Sequence, residues 1–241
     1  MKRIYDHVAV SVMADGVSVT LDGKTVKTPA RRPLILPNEL LAGAVAREWR
    51  AQGETIEPDT MPLMRLAATA IDRVADHRHA VIDEIAAYGE TDLLCYRAVE
   101  PADLKARQAE GWQPLLDWCA EQYGARLHVA EGVIATPQES VALEALRAAV
   151  DEYDSFSLAA LHTITAACGS LVIALALAEK HIDAFTSWRL SRIDESFQAE
   201  HWGIDSEALD QADRLRLTLF HSARFLRLCN HGKITAERGS A

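Results

Sequence analysis

The stretch "SFSLAALHTITAACGSLVIALALA", residues 155–178, carries no charged side chain and decides between two classes of fold. An apolar helix of this length can cross a bilayer. However, the stretch holds His162 and several hydroxyl side chains, owes much of its apolarity to alanine, and has no basic cluster at either end. We therefore interpret it as the central core helix of a folded protein, without stable insertion into a membrane.

Helical patterns surround this stretch, and from residue 138 onward no other strand pattern occurs. Either Asp205 or Ser206 can cap the last helix. The predicted helices span residues 139–151, 158–180, 183–202 and 206–230. This part of the chain is therefore predicted to be a helical bundle.

Alternating apolar residues are typical of the N-terminal segment, and Asp-Gly pairs at residues 15–16 and 22–23 separate its first runs. Asp-Gly between alternating strands favours a hairpin, so we predict an antiparallel β-meander. The runs are "HVAVSV" (7–12), "VSVTL" (17–21), "KTVKT" (24–28) and "PLILP" (33–37).

Two helices are expected after the meander, one capped by Asn38 and one starting at Pro62. A third, at about residues 102–124, is expected to be interrupted at Gly111 and Pro114. The run "RLHVAEGVI" (126–134) alternates again and is expected to return to the N-terminal sheet.

The predicted fold class is therefore α+β. We expect an N-terminal domain at residues 1–136, containing the meander, and a C-terminal helical domain at residues 137–241.

The charge balance limits the possible partners. The 241 residues carry a formal charge of −10, which disfavours nucleic acid and anionic membranes as main partners. The four cysteines are widely spaced and predict buried, reduced thiols. Polar residues interrupt the start of the chain, so no signal peptide is predicted and a cytoplasmic location is expected.

Enzyme signatures are missing from the sequence. It has no G-x-S-x-G, no G-x-x-x-x-G-K-[ST], no G-x-G-x-x-G after a strand and no H-E-x-x-H. We therefore expect no catalytic residues and no cofactor or metal site. The remaining enzymatic alternative is a metal- or carboxylate-dependent site made by Asp194, Glu195, Glu200 and His201.

A continuous helix over residues 183–202 would have two distinct stripes. Leu190, Ile193, Phe197 and Ile204 would face the core, whereas Trp188, Glu195 and Trp202, spaced seven apart, would form a second stripe away from it. Either another part of the protein covers this second stripe, or it is an exposed aromatic and acidic contact surface for a protein partner.

Several long stretches, spread over nearly the whole chain, resemble the ATP synthase assembly chaperones that act on the alpha subunit of the catalytic head. This family includes mitochondrial ATP synthase assembly factor 2 and its bacterial relatives. The stretches are "VTLDGKTVKTPARRPLILP", "AREWRAQGETIEPDTMPLMRLAATAIDRV", "YGETDLLCYRA", "WQPLLDW", "GSLVIALAL" and "SRIDESFQAEHWGID".

The resemblance implies a small α/β domain followed by an orthogonal helical bundle, and a task without catalysis. Such a chaperone would hold the free alpha subunit until the beta subunit replaces the chaperone. The resemblance implies that this happens in the cytoplasm of bacteria or in the mitochondrial matrix. In the family an acidic residue in the stretch matching "RIDESFQ" is important, which implies Asp194 or Glu195 here. Together with Trp188 and Trp202, these residues are the candidates for partner binding. Trp49 also matches a tryptophan that matters in the family, although its position on a helix favours packing.

Overall fold

The computed structural model describes residues 2–132 and 136–230, which form two compact units. Described residues of the first unit are 2–78, 154–160 and 224–230, and those of the second are 79–132, 136–153 and 161–223. These units do not follow the expected division between residues 136 and 137. The reason is that the long helix beginning at Ala102 packs against helices of the second unit.

A four-stranded antiparallel sheet lies in the first unit, as the α+β class predicts. Its strands are β1 (Val8–Met13), β2 (Gly16–Leu21), β3 (Lys24–Thr25) and β4 (Ile35–Leu36). Strand β2 is central, because β1 pairs with it along its whole length while β3 and β4 pair with its other edge. Val19 of β2 and Leu36 of β4 are buried in the core.

Helices α1 (Glu39–Arg50) and α2 (Pro62–Thr69) begin where the sequence predicts. The Asn38 side chain accepts a hydrogen bond from the Leu41 N–H at 2.9 Å and caps α1. The carboxylate of Glu48 accepts hydrogen bonds from the first backbone N–H groups of α2, those of Leu63 and Met64, at 2.8 Å each. These bonds satisfy donors that a helix start leaves unpaired.

The remaining chain is mostly helical, which confirms the predicted helical C-terminal region. Its helices are α3 (Arg78–Ala86), α4 (Ala102–Tyr123), α5 (Ser140–Asp151), α6 (Ser155–Cys168), α7 (Leu171–Ala178), α8 (Ala184–Ser191), α9 (Ile193–Trp202) and α10 (Ser206–Asn230).

The uncharged stretch 155–178 forms two helices, where a single helix from residue 158 to 180 was expected. Gly169 adopts a left-handed φ of 64°, and Ser170 caps α7 by accepting a hydrogen bond from the Ile173 N–H at 3.0 Å. All eight residues of α7 are buried, so the core interpretation holds for this part. Within the described residues, no helix has the length and apolarity needed to cross a bilayer.

A buried carboxylate stabilises the start of α7. Asp92 is fully buried and accepts hydrogen bonds from the Leu94 N–H at 3.0 Å and the Val172 N–H at 3.1 Å. The Ser170 hydroxyl and the Leu171 N–H also donate to it. Burial outweighs these donors and raises the pKa of Asp92 to about 6.

Helix α4 is continuous, so the expected interruption at Gly111 and Pro114 is wrong. Its buried stripe includes Trp112, Leu115 and Cys119, and the packing of this stripe outweighs the one backbone hydrogen bond that proline removes.

The expected return of residues 126–134 to the N-terminal sheet is also wrong. Among residues 126–132, which the structure describes, only Ala130–Glu131 form a strand, β6, which pairs in parallel with β5 (Tyr96–Arg97) in the second unit. Helix α4 connects these two strands, and a helical crossover produces a parallel pair. The last residues of that prediction, 133–134, lie outside the described residues.

All four cysteines are buried thiols that form no disulfide, as the sequence predicts. Burial raises the pKa values of Cys95, Cys119 and Cys168 to about 12. These three side chains therefore stay protonated and weakly nucleophilic at neutral pH.

Candidate functional site

The stretch that holds the candidate residues is broken at Arg192, and the expected single helix over residues 183–202 is therefore wrong. Arg192 has φ −125° and ψ 23°, which separates α8 from α9. The helical phase does not continue across this break. Trp188 consequently does not lie on one continuous stripe with Glu195 and Trp202.

Arg192 nevertheless connects two of the candidate residues. Its guanidinium lies 5.6 Å from the ring centre of Trp188, and its Nη1 lies 2.6 Å from Glu195 Oε1. Trp188 is half-buried, whereas Glu195 is exposed. The three side chains form a contiguous group in which an arginine separates the tryptophan from the carboxylate.

Asp194 is held by Gln108 of α4. The Gln108 Nε2 donates to Asp194 Oδ1 at 2.6 Å, and Gln108 Oε1 accepts from the Ala98 N–H at 2.7 Å. Because the oxygen of this amide is already occupied, its NH₂ group must point toward Asp194. Gln108 is only 1% exposed, so it holds the carboxylate from within the protein.

Arg97 extends this arrangement further into the second unit. It is buried and donates through Nη1 to the Gln108 backbone carbonyl. Its guanidinium also lies 5.1 Å from the ring centre of Trp112. Asp194 is thereby connected through Gln108 to the strand pair β5–β6.

Sequence reasoning did not find Gln108. The available signal was its position, since residues 108, 112, 115 and 119 have the spacing of one helix face and the other three are apolar. A glutamine on an apolar stripe needs a buried hydrogen-bond partner, and the sequence alone indicates this need.

The four residues of the enzymatic alternative do not converge. Asp194 pairs with Gln108 and Glu195 with Arg192, while Glu200 Oε2 lies 2.7 Å from Arg107 Nη1. The His201 ring stacks on Phe197 at 4.0 Å between ring centres. Across residues 2–132 and 136–230, no three His, Cys, Asp or Glu side chains are arranged to hold one metal ion.

A groove of about 500 Å³ lies between α4 and the α8–α9 pair. Gly111 allows α4 to approach closely, because a Cβ there would lie 2.9 Å from both Leu190 Cδ2 and Ile193 Cδ1. Charged side chains, among them Arg107 and Glu200, line the groove together with these apolar groups.

The core-facing stripe was predicted correctly only in part. Leu190 and Phe197 are buried and Ile193 is half-buried, but Ile204 is 46% exposed because the helix has already ended at Trp202. Trp202 is itself 76% exposed. No described part of the protein therefore covers Trp202, and its role in contacting a protein partner stays a prediction.

Trp49 has a packing environment in the first unit. Its ring meets the ring of Tyr5 edge-on at 5.7 Å, and the Tyr5 hydroxyl donates to the Trp49 carbonyl at 2.7 Å. These contacts connect α1 to the N-terminal segment, in agreement with the packing role favoured from its helix position.

Comparisons with known proteins cover nearly the whole chain. The family model of the ATP12 chaperone protein matches residues 2–120. The crystal structure of Atp12 from Paracoccus denitrificans is 46% identical, with a TM-score of 0.91 over 95% of this chain and 98% of that chain. The Atu1473 protein from Agrobacterium tumefaciens is 40% identical, with a TM-score of 0.88 over 93% and 84% of the two chains. Among curated proteins, mitochondrial protein atp12 from Schizosaccharomyces pombe is 23% identical over 226 residues, which are 88% of this chain and 78% of that protein.

Proposed function

The chain belongs to the ATP12 chaperone family of ATP synthase assembly factors, and on this premise we propose that its client is the free alpha subunit of the catalytic head. The chaperone binds this subunit and prevents the aggregation of the subunit until the beta subunit replaces the chaperone. The observation that carries the site assignment is the group of aromatic and acidic side chains on α8 and α9, of which Glu195 and Trp202 are exposed and Trp188 and Asp194 are half-buried.

The proposed binding site consists of Trp188, Asp194, Glu195 and Trp202. An exposed tryptophan offers a large apolar contact at small conformational cost, and tryptophan is common among residues that dominate binding energy. Asp194 and Glu195 lie in the first turn of α9, where the helix dipole favours negative charge. This position lets both carboxylates meet Lys or Arg side chains of the client.

The two carboxylates differ in how they are held. Asp194 receives a hydrogen bond from a buried neutral amide, whereas Glu195 pairs with a partly exposed arginine. A client cation would add to the bond that Asp194 already accepts, but it would compete with Arg192 for Glu195. We therefore propose that Asp194 is the more important acidic residue for client affinity.

Such a chaperone needs no nucleotide hydrolysis. An isolated subunit of a ring exposes an aggregation-prone interface, and a folded protein that covers it acts by mass action. Affinity that depends on a few residues permits later displacement by the larger native interface. We propose that this activity takes place in the cytoplasm.

The test is a binding measurement with purified alpha and beta subunits offered separately. Wild type should capture alpha selectively. Asp194→Lys should weaken capture about tenfold or more, and Glu195→Lys should weaken it less. Circular dichroism checks that both variants remain folded.

A matched control is Glu121→Lys, which makes the same charge change at an exposed position on α4. It should bind like wild type. If both site variants also bind alpha with unchanged affinity, the assignment of the site is wrong. If wild type captures neither subunit, the proposed client is wrong.

A further inference from the structure

The segment that begins at Trp202 exposes several large apolar side chains to solvent. Within residues 202–213, here named the tip, Trp202 is 76% exposed, Ile204 46% and Leu209 48%. Single exposed apolar residues are common on proteins, but three large ones within eight positions form a patch.

The apolar residues of the tip are not the edge of an inward-facing stripe. On the first turns of α10 the half-buried positions are Ala208, Ala212 and Leu215, which share one helix face. Leu209 lies about 100° around the helix from Ala208, so its side chain points away from that face. Burial within the protein therefore does not explain why leucine stands there.

Local structure holds the tip in a defined shape. Gly203 ends α9 with a φ of 78°, and Asp205 begins α10 by accepting a hydrogen bond from the Ala208 N–H at 2.8 Å. Trp202, Ile204 and Leu209 are therefore presented by two helix ends and a short turn. A surface held in this way loses little conformational entropy when it binds a partner.

The charge of the tip indicates the chemistry of its partner. Residues 202–213 contain four acidic side chains and no Lys or Arg. Asp213 pairs with Arg216 at 3.0 Å, but Glu207 and Asp210 have no ion pair within residues 2–132 and 136–230. A basic partner gains from these charges, whereas a second copy of this chain, with a net charge of −10, is repelled.

We infer that the tip is a second client contact, which binds a segment of the alpha subunit where Lys or Arg side chains flank exposed apolar residues. This inference rests on the proposed function and extends its site beyond Trp202. Asp194 and Glu195 form one contact on α9, and the tip adds Ile204, Leu209 and the carboxylates of Glu207 and Asp210. Two contacts on one client raise affinity without new chemistry and can be released one after the other.

The experiment measures the dissociation constant of the purified alpha subunit for two double variants. Ile204→Ser with Leu209→Ser removes the apolar part, and Glu207→Lys with Asp210→Lys reverses the charge. Each should weaken binding about tenfold while circular dichroism stays unchanged. The charge variant should also show a smaller loss of affinity with added salt than wild type.

The controls are single substitutions of the same two kinds elsewhere on the second unit. Val141→Ser alters an apolar residue on α5 that is 67% exposed, and Glu121→Lys alters an exposed carboxylate on α4. Both should bind the alpha subunit within about twofold of wild type, since they lie outside the proposed contacts.

The outcomes separate this inference from the proposed function. If wild type binds and Asp194→Lys loses binding, but both tip variants bind like wild type, the tip is not a client contact and the proposed function stands. If wild type binds no alpha subunit, the proposed function and this inference both fail. If sedimentation velocity shows a wild-type dimer that the tip variants convert to a monomer, the tip is a contact between copies and the inference is overturned.

Discussion

Helix α7 and the tip belong to the same compact unit, and both carry large apolar side chains, yet their environments are opposite. Every residue of α7 is buried, whereas Trp202, Ile204 and Leu209 of the tip are exposed. The difference comes from their neighbours: α4 and α8 pack against α7, and Asp92 with Ser170 satisfies its first backbone donors. The apolar side chains of α7 thus stabilise the fold, whereas those of the tip are exposed to solvent.

The largest effect on stability is expected in α7. Ile173→Ala should lower the free energy of unfolding by about 3 kcal/mol, because the side chain is fully buried and its removal leaves a cavity. Urea denaturation followed by circular dichroism measures this. A loss below about 1 kcal/mol would mean that α7 can collapse around the cavity and is less tightly packed than the comparison requires.

The next effect concerns the carboxylate that begins α7. Asp92→Asn should cost about 2 kcal/mol, because its NH₂ group replaces one carboxylate oxygen and cannot accept the backbone hydrogen bond, from Leu94 or from Val172, that this oxygen accepted. The same denaturation assay applies. Asp205→Asn is the matched control, because Asp205 caps an exposed helix start where water can replace a lost hydrogen bond.

The buried carboxyl group of Asp92 also predicts that the free energy of unfolding depends on pH. The folded-state pKa of Asp92 is raised to about 6 by burial, so between pH 4 and pH 6 the folded protein keeps a proton that the unfolded chain releases. The contribution of this carboxyl to stability is therefore greatest below about pH 4 and falls, on the order of 3 kcal/mol, as the pH rises to above 6. The stability difference between wild type and Asp92→Asn should shrink over this window. A difference that is constant from pH 5 to pH 7 would contradict the raised pKa.

A smaller effect tests the bond that joins the buried and exposed regions. In a double-mutant cycle on the free energy of unfolding, Gln108→Met and Asp194→Ala should show a coupling of about 1 kcal/mol. Their side chains share a hydrogen bond of 2.6 Å. The control cycle pairs Gln108→Met with Glu195→Ala, which should show coupling near zero because Glu195 pairs with Arg192. Equal coupling in the two cycles would mean that Gln108 stabilises α9 as a whole and does not act on Asp194 in particular.

The smallest effect on stability is expected at the tip. Ile204→Ser and Leu209→Ser should each change the free energy of unfolding by less than about 0.5 kcal/mol, because these exposed side chains bury little surface on folding. A loss above about 1.5 kcal/mol would show that the tip packs within the protein and would remove the contrast with α7.

Much of the fold could be read from local patterns. Asn38 and Pro62 start their helices, and the alternating runs separated by Asp-Gly form the antiparallel sheet, because capping and turn chemistry act over a few residues. Errors occurred where packing outweighs local preference. Pro114 is accommodated inside α4, and residues 130–131 pair with β5 because α4 places them there.

The candidate site divides in the same way. Asp194, Glu195 and Trp202 stay candidates for partner binding, but the helix wheel assumed continuity through Arg192 and misplaced Trp188 and Ile204. A backbone break of one residue has no strong compositional signal, whereas it changes the direction of every side chain that follows.

The sequence by itself determined the α+β class, the buried nature of residues 171–178 and the acidic character of the α9 region, because hydrophobic periodicity, turn residues and charge are local properties. The tertiary structure decided that Gln108 supports Asp194, that Glu195 pairs with Arg192, and that the tip remains exposed. Gln108 and Asp194 are 86 positions apart in the chain, and the Arg192–Glu195 pair lies at a backbone break; the free energy of such contacts is set by burial and geometry that no local pattern contains.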